Sequence, residues 1–136
     1  MVVVMNESGP NRQPHRLGDL QLKILKVLWH RGEATVAEVL GGIEDHAELA
    51  YTTVATMLRK MEARGLVTHR VEGRSFVYRA QVAAAAVSRS MTNDLVDRLF
   101  EGSLADAVSH LLTSREVGRK ELDELERLIA ERKRRL

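Results

Sequence analysis

The sequence predicts a mainly α-helical protein that carries one small β-hairpin. Apolar residues recur at the three- and four-residue spacing of α-helices through most of the chain after residue 16. Two short alternating runs, Val67–Val71 and Phe76–Tyr78, flank the link Glu72–Ser75. A short link that contains glycine between such runs is typical of a hairpin. The hairpin therefore interrupts an otherwise helical chain.

The composition is that of an ordinary globular protein, since 44% of the 136 residues are hydrophobic, 29% are charged and the net charge is +2. Residues 81–136 contain ten basic and ten acidic side chains, so the positive excess lies in the N-terminal part. The absence of cysteine excludes disulfides and thiolate metal sites. No apolar run approaches the ~18 residues of a membrane span, and the opening MVVVM is too short for a signal peptide. We therefore expect a cytoplasmic protein.

The first helix is predicted from Leu17 to Arg31. Asp19 is suited to cap its N-terminus, and Gly32 is suited to end it. We expect Trp29 to pack in the core or at a domain junction. The apolar face that repeats at helical spacing consists of Leu20, Ile24, Val27 and Leu28.

A shorter second helix is predicted to begin after Thr35. Thr35 and Glu38 form a capping box, in which each side chain accepts a hydrogen bond from the other residue's backbone N–H. Gly41 and Gly42 end the helix. The link Ile43–Leu49 is longer than the turn of a minimal helix-turn-helix motif, which favours a winged variant.

The third helix, between Ala50 and Gly65, has two faces of opposite character at about 100° per residue. The apolar face consists of Val54, Met57, Leu58 and Met61. The other face presents hydroxyls and cations, from Thr52, Thr56, Arg59 and Lys60, with Thr53 at its edge. Taken alone, such a face is most often merely solvated.

The hairpin that follows the third helix changes the interpretation of this polar face. Residues 51–79 hold six basic side chains and two acidic ones, so this segment carries a charge of +4. A helix followed by a basic hairpin is the arrangement in which a winged helix-turn-helix meets DNA. We therefore predict that the third helix enters the major groove, where short hydroxyl side chains can meet base edges.

The remainder of the chain predicts three further helices, separated at Gly102-Ser103 and at residues 113–118. A segment of about 55 residues is too small to enclose a core by itself. A second copy is the economical partner, because repressors that read two half-sites are two-fold symmetric dimers. The predicted dimerisation residues are Val108, Leu111, Leu122, Leu125 and Ile129.

Three segments follow from these observations. Residues 1–16 contain both prolines and many polar residues, and we expect them to form a flexible tail. Residues 17–80 are predicted to form a winged-helix head that binds DNA. Residues 81–136 are predicted to form a three-helix arm that dimerises.

The sequence resembles the penicillinase-repressor family, which includes BlaI and MecI and has the copper-responsive CopY repressors as cousins. The matching stretches are LGDLQLKILKVLW, TVAEVL, YTTVATMLRKMEARGLV and HRVEGRSFVYRA. The resemblance implies a dimeric winged-helix repressor of a palindromic operator, typically upstream of β-lactamase and sensor genes. The Cys-x-Cys metal tail of the copper repressors is absent here.

The resemblance also implies roles for particular residues. The base-facing positions of the family fall on Thr52, Thr53, Thr56, Arg59 and Lys60. The phosphate-facing charge of the wing falls on Arg74, together with Arg70. Many relatives are inactivated when a membrane sensor triggers proteolysis at an Asn-Phe bond, and an ungapped match puts that bond at His110-Leu111, where the asparagine is missing.

Other classes of function remain open at this point. A ligand-sensing winged-helix repressor is the close alternative, and a winged helix used only for protein–protein docking is the third. An enzyme is not expected, because no nucleophile–base pair is visible. The histidines lack the spacing of metal ligands, so we expect neither a metal nor another cofactor; they are His15, His30, His46, His69 and His110.

Overall fold

The computed structural model describes residues 17–44 and 46–136, and the predicted N-terminal tail lies outside these residues. The helices of the described part are α1 (Asp19–Arg31), α2 (Val36–Gly42), α3 (Tyr51–Ala63), α4 (Ala84–Leu99), α5 (Leu104–Ser114) and α6 (Arg119–Arg134). The strands are β1 (Ala34–Thr35), β2 (Val67–Glu72) and β3 (Ser75–Ala80). A single 3₁₀ turn, His46–Glu48, lies between α2 and α3. The mainly helical fold with a hairpin wing is confirmed.

The N-termini of the first two helices are fixed by hydrogen bonds between residues three apart in the sequence. The predicted capping role of Asp19 is wrong, because Gly18 is the N-cap of α1 and Asp19 is already helical. The Gly18 N–H instead donates to the Gln21 side chain at 3.1 Å. The capping box of α2 is confirmed, since Thr35 N–H donates to Glu38 Oε1 at 2.9 Å and Glu38 N–H donates to Thr35 Oγ1 at 3.2 Å.

The C-terminus of α3 is fixed by a glycine with a positive φ. Gly65 has a φ of +79°, which only glycine adopts at little cost. Its N–H donates to the Glu62 carbonyl at 3.0 Å, and the Leu66 N–H donates to the Met61 carbonyl at 2.9 Å. These two bonds form a Schellman motif, and the buried side chains of Leu66 and Met61 supply its apolar contact. The motif turns the chain directly into β2.

The sheet has three antiparallel strands in the order β1-β3-β2. Strand β1 was not predicted, because two residues are too few to show an alternating pattern. The hairpin is also tighter than predicted: Glu72 pairs with Ser75, so only Gly73 and Arg74 form the turn. Gly73 has a φ of +62°, which suits the first position of a two-residue hairpin turn.

One apolar core holds the three N-terminal helices against the sheet. The largest fully buried side chains of this core come from α1, α2, α3, β2 and β3, and they are Ile24, Leu25, Leu28, Val39, Val54, Leu58, Met61, Val67 and Tyr78. Trp29 packs against the same cluster, and its Nε1–H donates to the Val82 carbonyl at 2.8 Å. Trp29 therefore has the packing role expected from the sequence.

The chain divides into two compact units, one up to Asp94 and one from Leu95 to Leu136. The predicted boundary between residues 80 and 81 stays a prediction. Within the second unit, Ala107 is the buried side chain among the described residues. α6 has no buried residue. None of the described helices is long and apolar enough to cross a membrane.

Candidate nucleic-acid interface

The face of α3 opposite the core presents the hydroxyl and cationic side chains predicted from the sequence. Thr52, Thr53, Arg59 and Lys60 are exposed, and Thr56 is half-buried between them. Arg59 Nη2 donates to Thr56 Oγ1 at 3.3 Å. The structure therefore brings all five residues to one accessible surface. Their contact with bases stays a prediction.

α3 is tied to the start of α1 by Gln21, a residue that the sequence did not single out. Gln21 Nε2 donates to the Met57 sulfur at 3.4 Å, and Gln21 Oε1 accepts from Arg64 Nη1 at 3.4 Å and from Gly18 N–H at 3.1 Å. One side chain thus links the middle and the end of α3 to α1. Spacing along the sequence gives no signal for it, because its partners on α3 are 36 and 43 residues away.

The two arginines predicted to face phosphates have different surroundings. Arg74 is exposed in the turn of the hairpin, and the described residues offer it no ion pair. Arg70 is bound on both sides, with its Nη2 at 2.8 Å from Glu33 Oε1 and its Nη1 at 2.6 Å from Glu72 Oε2. The hydrogen bonds raise the pKa of Arg70 and lower the pKa of Glu33. Arg70 therefore fastens the hairpin to the loop before β1.

A second pair joins the hairpin to α3. His69 Nδ1 lies 2.8 Å from Glu62 Oε1 and 2.9 Å from Glu62 Oε2. Burial raises the pKa of the neighbouring Tyr78 hydroxyl, and the Glu62 carboxylate adds to that increase while Arg59 opposes it. The sequence analysis counted Glu62 only as one of two acids in a basic segment. The sequence gives no signal for the pair of Glu62 and His69, because the pair forms only once β2 is placed beside α3.

The second unit carries the predicted dimerisation residues. An apolar groove of about 960 Å³ is lined by Val108, Leu122, Leu125 and Ile129 together with Leu104, Leu112 and Leu128. Leu111 does not line this groove, although 48% of its surface is exposed. His110, at the predicted cleavage bond, is exposed on α5, and its ring lies 5.7 Å from that of Phe100. The roles of these residues in dimerisation and cleavage stay predictions.

Comparison with known proteins decides the family. The profile of the penicillinase repressor family matches residues 17–131. This chain belongs to that family. It is 25% identical over 120 residues to the penicillinase repressor of Bacillus licheniformis, covering 88% of this chain and 94% of that protein. It is 34% identical over 119 residues to the transcriptional regulator BlaI of Mycobacterium tuberculosis, covering 85% of this chain and 84% of that protein.

Two solved structures are similar to 54% of this chain. One is the solution structure of the DNA-binding domain of the repressor BlaI, with 26% identity, a TM-score of 0.47 and coverage of 54% of this chain and 90% of that one. The other is the monomeric form of Bacillus licheniformis BlaI in complex with the blaP half-operator, with 26% identity, a TM-score of 0.45 and the coverages 54% and 90%. The family consists of transcriptional repressors rather than enzymes.

The different surroundings of the two arginines predict different effects on DNA binding. We expect Arg74→Ala to lower the affinity for specific and unrelated duplexes alike, and to reduce the slope of log K against log salt by about 0.9 per protomer, the usual value for one phosphate contact. Arg70→Ala should change the slope less, because Glu33 and Glu72 already compensate its charge. Fluorescence anisotropy between about 50 and 200 mM salt measures both slopes. Equal slopes for the two variants would contradict this distinction.

Proposed function

We propose that this protein is a homodimeric winged-helix repressor that binds a palindromic operator and controls β-lactam resistance or sensor genes. The observation that carries the proposal is the exposed hydroxyl and cationic face of α3 beside a hairpin whose turn presents Arg74, which has no ion pair among the described residues. Arg74 is suited to phosphates, and the face of α3 is suited to base edges in the major groove. The names of the relatives, a penicillinase repressor and two transcriptional regulators, support the choice of regulated genes.

The second unit supports the dimer. Eight of its large apolar side chains are between 40% and 70% exposed in a single chain, and they are Leu95, Leu99, Leu104, Leu111, Leu112, Leu122, Leu128 and Ile129. Five of these side chains line the apolar groove, and monomeric proteins rarely expose a large continuous apolar surface. A second copy would cover it and would hold two α3 helices at the separation of two half-sites. In this proposal residues 17–80 bind DNA and residues 81–136 dimerise. The protein acts in the cytoplasm, where the bacterial chromosome lies.

Loss of the dimer would relieve repression. Cleavage at His110-Leu111, triggered by a membrane sensor, is the route that the family suggests. This bond lies inside α5, so a protease could reach it in an extended form only after local unfolding of the helix. Relief of repression by cleavage therefore requires local unfolding of α5.

The function of the α3 face is tested by Thr56→Ala. We expect this variant to lose about 1–3 kcal/mol of discrimination at one base pair of each half-site, the usual value of a good direct contact. Footprinting and gel shifts on the DNA upstream of the protein's own gene, with single base-pair changes, measure the loss. Thr56→Ser is the matched control, because it keeps the hydroxyl and removes only the methyl group. Equal weakening of specific and random DNA by Thr56→Ala would refute the base-reading role.

The arm is tested by Leu125→Asp. The side chain lines the apolar groove, and a charge buried at an interface without a partner is strongly unfavourable. We expect sedimentation to show a dimer for the wild type and a monomer for the variant. Ala130→Asp is the matched control, because Ala130 is exposed on α6 and does not line the groove. An intact Leu125→Asp dimer would show that the interface lies elsewhere.

A further inference from the structure

One acid at the border of the proposed DNA-binding surface is paired with a histidine. Glu62 lies in the last turns of α3, three residues after Arg59, so it borders the cationic face. Its partner is His69 on β2, whose Nδ1 approaches both carboxylate oxygens, at 2.8 and 2.9 Å. The two side chains are 31% and 27% exposed, so solvent reaches the pair.

The position of the imidazole is fixed by the hairpin as well as by α3. Its ring is stacked on the ring of Phe76, with centroids 4.1 Å apart and an interplanar angle of 18°. The ring of Tyr78, its partner in the strand register, lies 5.4 Å away. The charged and titratable groups that act on the neighbouring Tyr78 hydroxyl are Glu62, Arg59 and Tyr51, all from α3.

The hydrogen bonding determines where a proton can be gained. An ionised carboxylate only accepts hydrogen bonds, so Nδ1 carries the proton that faces Glu62 in the neutral imidazole. Further protonation then occurs at Nε2. The pair carries a charge of −1 when the imidazole is neutral and 0 when it is protonated. Histidine is the side chain that ordinarily changes its charge between about pH 5 and 8.

We propose that Glu62 and His69 are further determinants of DNA affinity: protonation of His69 masks the negative charge of Glu62 beside the phosphates, so the protein binds DNA more tightly as the pH falls. This inference rests on the proposed function, because it needs the cationic face of α3 to lie against DNA. Binding is then coupled to proton uptake at His69, and the coupling is limited to one proton per protomer. A second consequence is that Glu62 weakens binding at high pH.

Equilibrium binding of the full-length chain at constant salt tests this inference. The probes are a duplex from upstream of the protein's own gene and an unrelated duplex of equal length. We expect wild-type affinity to rise as the pH falls from about 8 to 6, by at most about 10-fold per protomer for each unit of pH, which is the limit set by the uptake of one proton. His69→Gln should remove this dependence. His30→Gln is the matched control and should retain it, because His30 is exposed on α1.

Glu62→Gln provides the second, independent variant. Glutamine keeps the size of the side chain and an acceptor for Nδ1–H, but it removes the charge. We expect this variant to bind both duplexes more tightly than wild type at about pH 8, where the imidazole of a histidine is ordinarily neutral. In the wild type at about pH 7, addition of the duplex should move the His69 ring signals in NMR spectra towards their low-pH positions.

Two failures can be told apart. Absence of binding to any duplex at every pH would overturn the proposed function and this inference with it. Binding that is independent of pH in the wild type, or a pH dependence that His69→Gln retains, would overturn only the inference. If His69→Gln does not fold, as judged by circular dichroism, tighter binding by Glu62→Gln and the NMR signals of His69 decide the matter instead, and unchanged ring signals on addition of DNA would overturn it.

Discussion

The burial of one side of α3 is the constraint on which the rest of the structure depends. Val54, Leu58 and Met61 are completely buried in the core that α3 shares with the other two helices and the sheet. Each such side chain contributes about 1.5–3 kcal/mol relative to an exposed one. Rotation of α3 about its axis would lose that contribution three times over, so the helix has one stable orientation. The hydroxyls and cations on the opposite side are exposed as a consequence of this packing.

The base of the hairpin is held in the core by Val67 and Tyr78, whereas its exposed part is positioned by fewer and weaker interactions. The Schellman motif at Gly65 sets the direction in which the chain leaves α3. Beyond it, Arg70 joins the hairpin to Glu33, and His69 joins it to Glu62. These side chains are partly or largely exposed, and exposed ion pairs contribute little to stability. Their effect is therefore on orientation and local charge more than on the folding of the head.

The helices could be predicted from the sequence because their signals are local. The apolar spacing of α1 and α3, the capping box at Thr35 and the glycines that follow α1 and α3 all act within a few residues. Asp19 was misassigned because a glycine one residue earlier also permits the N-cap conformation. Strand β1 was missed because its two residues become a strand only by pairing with β3.

The candidate site could likewise be predicted only where its signals are local in the sequence. The exposure of Thr52 and Lys60 follows from helical periodicity, so their place on the surface was predictable. The pairs made by Arg70 with Glu33 and by Glu62 with His69 depend on the tertiary fold. Sequence reasoning therefore treated Arg70 as a free phosphate contact and gave Glu62 no role. The residues whose partners are set by the tertiary fold are those whose interactions it described least well.

The central claim is that the exposed face of α3 contacts DNA while its buried face holds the helix in place. Backbone NMR spectra of the full-length protein, recorded as a duplex from upstream of its own gene is added, test the claim most directly. We predict that the largest changes occur at Thr52, Thr56, Lys60 and Arg74, with small changes along the apolar groove of the second unit. Large changes confined to other surfaces, with the amides of α3 unaffected, would contradict it.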